Sequence, residues 1–320
     1  MQKSTRSVYL VTGGAGFIGS NLVHALVARG QTVRVLDNLA TGRLDNLEPV
    51  RGTIEFVQGD IRSLETCQKA MQDVRFVLHQ AALPSVPRSF EDPISSTAVN
   101  IHGTLNLLLA ARDRRIERFV FASSSSVYGD TPTLPKVETM PTDPRSPYAV
   151  TKLTGEHLCR VFARAYGLPT VCLRYFNVYG PRQDPASTYA AVIPRFITHC
   201  LRGTAATIFG DGTQSRDFTF VEDCVAANLM ACEAPIAGCE VCNIGSGSRI
   251  SIAELHAIIR RITRSAASPQ FESPRPGDVK HSLADITRAK ALLGYTPRYG
   301  LESGLAPTVE WFRSREATSP

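Results

Sequence analysis

No run of about 18 consecutive apolar residues occurs in this 320-residue chain, so a membrane-spanning helix is not expected. The N-terminus carries neither a basic n-region nor an apolar h-region, so no secretory leader is expected. Charge of one sign is not concentrated anywhere. The net charge is only +6, and the densest basic stretch, Arg112 to Arg118, is interleaved with Asp113 and Glu117. That pattern suits the solvated end of a helix, and a nucleic-acid partner is not expected. The eight cysteines stand singly, mostly in apolar runs such as those around Cys159 and Cys172. Cys239-x-x-Cys242 is the one metal-like spacing and has no second pair, so no metal is expected. There is no internal repeat, and no low-complexity tail beyond the last few residues. These absences leave a reduced, cytoplasmic globular protein as the expectation.

A composition of 43% hydrophobic and 20% charged residues is that of an ordinary soluble domain. The length suffices for one large core or two smaller ones. From residue 8 to about 175, apolar runs of strand length alternate with longer helical patterns. Strands are predicted near 8–12, 33–37, 54–57, 75–79, 118–123 and 170–174, with helices near 18–29, 63–72, 97–114 and 149–166. Strands this apolar, joined by crossovers of this length, imply a parallel sheet covered on both faces. Ligands of such sheets gather at the carboxyl ends of the strands. Gly13, Asp37, Asp60, Ala81, Ser124 and Asn177 fall there.

Beyond Arg174 the rhythm loosens. A loop over 175–187 is followed by a predicted helix over 188–201, a strand at 207–209 and the loop Gly210-Asp211-Gly212. Helices are predicted near 222–234 and 251–264, the second opened by the capping box Ser251/Glu254. A proline-rich loop, Ser268 to Gly277, and a helix near 302–315 complete the chain. This region reads as a smaller, mixed α/β lobe laid over the strand ends.

The first strand runs into Val11-Thr12-Gly13-Gly14-Ala15-Gly16-Phe17-Ile18-Gly19. Glycines at 13, 16 and 19 suit a tight turn, approach of the backbone to a pyrophosphate, and close helix–strand packing. Amides at the start of the following helix would bind the anion. Asp37 ends the next strand and can hydrogen-bond both hydroxyls of an adenosine ribose. A carboxylate there repels a 2'-phosphate, so NAD is expected rather than NADP. The fold expectation is α/β: a Rossmann-like doubly wound parallel sheet over 1–175, binding NAD. Residues 176–320 form the substrate lobe, with some segments returning to the first domain.

Tyr148 and Lys152 lie four residues apart on a predicted helix and share a face. Lysine and the positive charge of a nicotinamide favour the phenolate, so the phenol pKa is expected to fall toward neutrality. Tyr148 then takes a hydroxyl proton while hydride leaves the same carbon. Ser124, with Ser125 in support, is the candidate for orienting the substrate oxygen, because the serine run 123–126 follows a strand.

The ordered set of motifs resembles the extended short-chain dehydrogenase/reductases, specifically nucleotide-sugar epimerases of the UDP-galactose 4-epimerase type. The pieces are the glycine turn, Asp37-Asn38-Leu39, Gly59-Asp60-Ile61-Arg62, His79-Gln80-Ala81-Ala82, Asn100-Ile101-His102-Gly103-Thr104, and Ser123 to Gly129. They continue with Ser146 to Lys152, Arg174 to Pro181, and Arg216-Asp217-Phe218. The likeness runs from Gly13 to the final helix. It places Phe17, Ile18, Asn38, Ile61, Ala81 and Ala82 at the cofactor, with Asp60 at the adenine and Asn100 lining the cofactor site. Lys152 would also bind the nicotinamide ribose. Asn177 resembles the asparagine meeting the sugar diphosphate, and Arg216 and Arg275 the arginines clamping its phosphates. Asp278 resembles an acid supporting the uridine ribose or that clamp. The resemblance also implies a homodimer, built on helices whose surplus apolar residues include Leu105, Leu108, Leu109, Leu153, Leu158 and Phe162.

Dehydratases of the family carry an Asp-Glu pair where this chain has Ser125 and Ser126. Elimination therefore lacks its acid and base, and oxidation followed by re-reduction at C4 remains. NAD would be recycled and stay tightly bound. Ser282 matches the position whose small size admits an N-acetyl group, and the stretch containing Ser85 and Arg88 resembles members acting on UDP-N-acetylhexosamines. The expected substrates are UDP-GlcNAc/UDP-GalNAc together with UDP-Glc/UDP-Gal. The alternative is a UDP-uronate 4-epimerase, with Arg88 or Arg182 as the cation for the C6 carboxylate. A non-catalytic scaffold would show a broken Tyr/Lys pair, and the pair is intact.

Overall fold

The computed structural model describes residues 8–185, 191–273 and 280–316. Its centre is a seven-stranded sheet. In chain order the strands are β1 (Val8–Thr12), β2 (Thr32–Asp37), β3 (Glu55–Gln58), β4 (Val74–His79), β5 (Arg118–Ser124), β6 (Thr170–Tyr175) and, much later, Cys239–Ile244. Their spatial order is β3, β2, β1, β4, β5, β6 and that late strand, every neighbour parallel. The order reverses between β1 and β4, which opens a crevice above Gly13.

Period-two alternation sends side chains to two cores. Tyr9, Val11, Val33, Val35, Leu78 and Val120 enter one. Leu10, Leu36, Val77, Phe119, Phe121 and Cys172 enter the other. The helices over these faces are α1 (Phe17–Ala28), α2 (Leu64–Ala70), α3 (Val86–Glu91), α4 (Pro93–Thr97), α5 (Thr104–Arg114) and α6 (Pro147–Tyr166).

The single helix predicted over 97–114 is resolved into α4, a π-helical turn at Ala98–Gly103, and α5. The helix α6 begins two residues earlier than predicted, because Pro147 occupies its first turn and Ser146 caps it.

The remaining elements are β7 (Val178–Tyr179), α7 (Val192–Leu201), β8 (Thr207–Phe209), β9 (Ser215–Arg216), β10 (Thr219–Phe220), α8 (Val221–Glu233) and β11 (Cys239–Ile244). After them come β12 (Ile250–Ser251), α9 (Ile252–Thr263), β13 (Gln270–Glu272), α10 (Thr287–Leu293) and α11 (Leu301–Glu316). The helix predicted from 188 starts at Val192 among the described residues, and 188–190 lie outside them. Sequence patterning missed α3, α10 and β11 as a strand of the main sheet. The strand β11 completes the main sheet beside β6. Cys239 and Cys242 therefore sit three residues apart on one strand and face opposite sides. The smaller lobe has its own core, including Ile193, Phe196, Ile197, Leu255, Leu305 and Phe312.

Part of the apolar surplus expected to mark a dimer face belongs to the chain's own packing, and Leu105, Leu109, Leu153 and Leu158 are only half-buried. Leu108 and Phe162 are buried, Leu105, Leu109 and Leu158 pack on the same core, and Leu153 packs on a cluster with Phe176. Helix packs on helix here as well as on sheet, which uses those side chains. Exposed large apolar side chains include Phe90 (62%), Ile94 (82%), Val150 (45%) and Val161 (55%), on α3, α4 and α6, besides Leu64 of α2, Val86, Tyr166 and Phe271 of β13. Among the described residues no helix is long and apolar enough to cross a membrane.

Candidate active site

The turn after β1 is built for backbone approach. Gly13 has φ +68°, and a Cβ there would lie 2.7 Å from the Ala81 amide nitrogen. A Cβ on Gly19 would lie 2.1 Å from the Gly13 carbonyl oxygen, so α1 and the turn pack too closely for any side chain. Gly16 caps α1 without a side chain, and no acidic residue stands in the first turn. The opening amides of α1 thus meet no competing anion from the chain, which fits a pyrophosphate. Phe17 turns toward the smaller lobe's core and Ile18 toward the main core.

Asp37, 7% exposed, is fixed by two amides: Oδ2 accepts from Ala15 N at 2.9 Å and Oδ1 from Leu39 N at 2.8 Å. Burial pushes its pKa up, while both amides oppose the rise. Asn38 Nδ2 donates to Asp60 Oδ2 at 2.9 Å, bringing two predicted cofactor residues together. Hydrogen bonds from Arg62 are the main reason that the Asp60 carboxyl is held at about 2. Ile61 is buried, and a Cβ on Gly103 would strike it at 2.5 Å.

Ala81 N donates to Thr12 Oγ1 at 3.3 Å, and half-buried Ala82 follows it. Asn100, in the π-helical turn, braces the segment beyond. Its Oδ1 accepts from Leu83 N at 2.8 Å, and its Nδ2 donates to Thr151 Oγ1 at 3.1 Å.

The cap on α6, Ser146 Oγ accepting from Ala149 N at 3.1 Å, sets the start of the helix that carries Tyr148 and Lys152. Ser124, at the end of β5, stands close enough to the Tyr148 phenol to stabilise its phenolate. Lys152 is 5% exposed, and its Nζ donates to the Ala122 carbonyl at 2.8 Å. Burial lowers the Lys152 pKa to about 8.

Burial also pushes the phenol of Tyr148 up to about 12, with Ser124 pulling the other way. In the chain alone, desolvation of the phenolate outweighs what the chain's own groups provide, and the expected fall toward neutrality draws also on the charge of a bound nicotinamide. Ser125 opens a 3-10 turn through Tyr128, half-buried beside Ser124.

On the smaller lobe, Asn177 has φ +29°. Its Nδ2 donates to Asp217 O at 2.9 Å and Ser282 Oγ at 3.2 Å. Asp217 is fully buried and accepts from the amides of Ser246, Gly247 and Ala284. Arg216 donates to the carbonyls of Ser215 and Lys280, each at 3.0 Å. Asn177 and Arg216 line a cavity of about 260 Å³ with Phe196, Phe209 and Phe218.

Ser85 has φ +103°, and its Oγ accepts from Arg88 N at 3.3 Å, capping α3, which packs on α6. Arg182 donates to Asn21 Oδ1 of α1 at 2.6 Å, on the cofactor side. Arg275 and Asp278 lie outside the described residues. Sequence reasoning missed Thr12, His79, Thr104 and Thr151, which join the glycine turn to α6 through side chains. All four stand inside the motifs of the sequence, but their partners are remote along the chain.

The model of the NAD dependent epimerase/dehydratase family matches residues 9–245. The chain is 41% identical over 310 residues to the UDP-glucose 4-epimerase of Mycolicibacterium smegmatis, covering 96% of this chain and 98% of the other. The UDP-N-acetylglucosamine 4-epimerase of Methanobrevibacter ruminantium, solved with UDP-N-acetylmuramic acid, superposes with a TM-score of 0.92 at 39% identity. It covers 97% of this chain and 99% of its own. The UDP-glucuronic acid 4-epimerase of Bacillus cereus, solved with UDP-glucuronic acid and NAD, gives a TM-score of 0.89 at 36% identity, with 96% and 99% covered.

Proposed function

The chain belongs to the NAD dependent epimerase/dehydratase family, and from that premise we propose that it interconverts the 4-epimers of a UDP-sugar. The observation that carries the reading is the helix α6 bearing Tyr148 and a buried Lys152, whose Nζ donates to Ala122 O, set against the end of β5 that bears Ser124, together with an NAD-type glycine turn. The glycine turn and α1 would hold the pyrophosphate of NAD, and Asp37 its adenosine ribose. Bound there, NAD supplies a hydride acceptor and then a donor at sugar C4.

Ser124 orients the C4 oxygen, and Tyr148 takes its proton on oxidation and returns it on reduction. Deprotonation of so desolvated a phenol draws on the Lys152 ammonium and on the positive charge of oxidised nicotinamide. Ser125 and Ser126 leave elimination without its acid–base pair, which favours epimerisation over dehydration.

The preferred substrates in this reading are UDP-GlcNAc and UDP-GalNAc, with UDP-Glc and UDP-Gal also accepted. The support is the small Ser282 beside Asn177 and the likeness to the Methanobrevibacter enzyme. UDP-uronates are the second reading, favoured by the likeness to the Bacillus cereus enzyme. The two cations weighed for the uronate carboxylate are Arg88, on α3, and Arg182, which donates to Asn21 of α1.

We further propose a homodimer through the exposed face of α3, α4 and α6, and a reduced, cytoplasmic setting in keeping with eight free thiols. The test of function is kcat/KM for a panel of UDP-hexoses, UDP-N-acetylhexosamines and UDP-uronates. Turnover of the acetamido pair at least as efficient as that of the hexoses is expected. Turnover of uronates alone would make a cation at C6, rather than room at C2, the determinant. Oxidation without inverted product would overturn the epimerase reading.

A further inference from the structure

Three consecutive residues of β5 each engage a different residue on one face of α6. Ala122 O accepts from Lys152 Nζ at 2.8 Å, Ser123 Oγ donates to Glu156 Oε1 at 2.5 Å, and Ser124 stands near the Tyr148 phenol. Tyr148, Lys152 and Glu156 are spaced by four residues and so stand above one another on the helix.

Glu156 is 1% exposed and forms a bidentate ion pair with Arg174, with Nε to Oε1 at 2.8 Å and Nη2 to Oε2 at 2.7 Å. Arg174 is the β6 neighbour of Ser123 in the sheet register. Its guanidinium lies 4.7 Å from the Tyr128 ring centroid. One residue before Glu156, α6 presses on the strand, where a Cβ on Gly155 would lie 2.2 Å from Phe121 Cζ. The height and rotation of α6 over β5 are therefore set at Gly155 and Glu156, and the reacting groups stand one and two turns away.

We propose that Glu156, clamped by Arg174 and tied to Ser123, is the positioning residue that holds Tyr148 in register with Ser124 for proton transfer at C4. The ion pair is well built for this task. Its two parallel bonds resist both sliding and rotation, whereas a single hydrogen bond would permit a pivot. Stability is not the simplest account of it, because buried ion pairs contribute little net stability over apolar residues of similar size. The proposal rests on the epimerase reading, and Glu156 acts through the helix, not on substrate.

The test compares Ser123→Ala, Ser123→Thr and the double variant Glu156→Leu/Arg174→Met with the wild type as purified. Measured for each are kcat, KM, bound NAD, Tm and the kinetic isotope effect with C4-deuterated UDP-sugar. Ser123→Ala removes one tie and no charge. It should lower kcat roughly tenfold or more, since small misplacements of reacting groups carry large rate penalties. KM, bound NAD and Tm should stay near wild-type, and the isotope effect should rise. Ser123→Thr, which keeps the hydroxyl, should restore kcat. The double variant should keep most of its Tm and lose kcat.

Full kcat in Ser123→Ala, or losses of kcat that track Tm and bound NAD, would overturn the proposal. If the double variant does not fold, the two Ser123 variants decide alone. A wild type without any turnover would instead indict the epimerase reading.

Discussion

The imidazole of His79 is held between two hydroxyls, Thr12 Oγ1 at 2.7 Å from Nδ1 and Thr104 Oγ1 at 2.9 Å from Nε2. Thr12 precedes the glycine turn, and Thr104 Oγ1 donates to Asn100 O, so the ring bridges the two sides of the cofactor crevice. Burial, aided by the nearby Lys152 charge, lowers its pKa to about 3 from an ordinary 6.5. A histidine whose folded pKa is depressed destabilises the fold as acid is added. Its contribution is complete above pH 6.5 and is lost as pH falls from 6.5 toward 3, at about 1.4 kcal/mol per pH unit. Urea unfolding at stepped pH should show this slope, and His79→Gln should flatten it. An equal slope in both proteins would remove His79 as the cause.

The purified protein should carry NAD without any being added. Gly19→Ala should lose most of it, because the new Cβ meets the Gly13 carbonyl at 2.1 Å and the turn must open. Denaturation followed by assay of the released dinucleotide measures both. Wild-type activity wholly dependent on added NAD would argue for an exchanging dehydrogenase.

Tyr148→Phe removes the proton acceptor with little change in volume. Turnover should fall by roughly two to four orders of magnitude while bound NAD and Tm persist. Ser124→Ala should lose less, because neighbouring hydroxyls can substitute in part. More than a tenth of the wild-type rate in Tyr148→Phe would sink the assignment.

Ser282→Tyr should suppress the acetamido sugars selectively and spare the hexoses. Overfilling a packed site costs about 1–3 kcal/mol, roughly a five- to hundredfold loss in kcat/KM. The Asn177 contact at 3.2 Å is also lost, so Ser282→Ala is the control for it. Equal losses on both sugar classes would show that Ser282 supports Asn177 and does not select at C2.

Light scattering should give twice the 34.8 kDa chain mass at micromolar concentration. Ile94→Glu/Val161→Glu places charge on the exposed face of α4 and α6 and should yield a monomer with an unchanged fold. Wild-type protein at the mass of a single chain would refute the dimer.

The local grammar of the site could be read along the chain. Gly13, Gly16 and Gly19 advertise a turn that tolerates no side chain, and Asp37 closes the strand beside it. Tyr148 and Lys152 share a helix face through spacing alone, and the six strands through Thr170–Tyr175 stand out by apolar pattern. These features depend on neighbours a few residues apart, and such interactions are encoded locally.

The tertiary structure decided what depends on distant partners. It brought β11 to β6 across more than sixty residues, seated His79 between Thr12 and Thr104, and clamped Glu156 to Arg174 and Ser123. It also set the Tyr148 phenol high in the chain alone, because desolvation depends on everything packed around a phenol and not only on the lysine one turn away. Leu108 and Phe162, counted in the apolar surplus of the helices that the family resemblance pairs in a dimer, went to the core for the same reason: a helix face is defined only by what comes to lie against it.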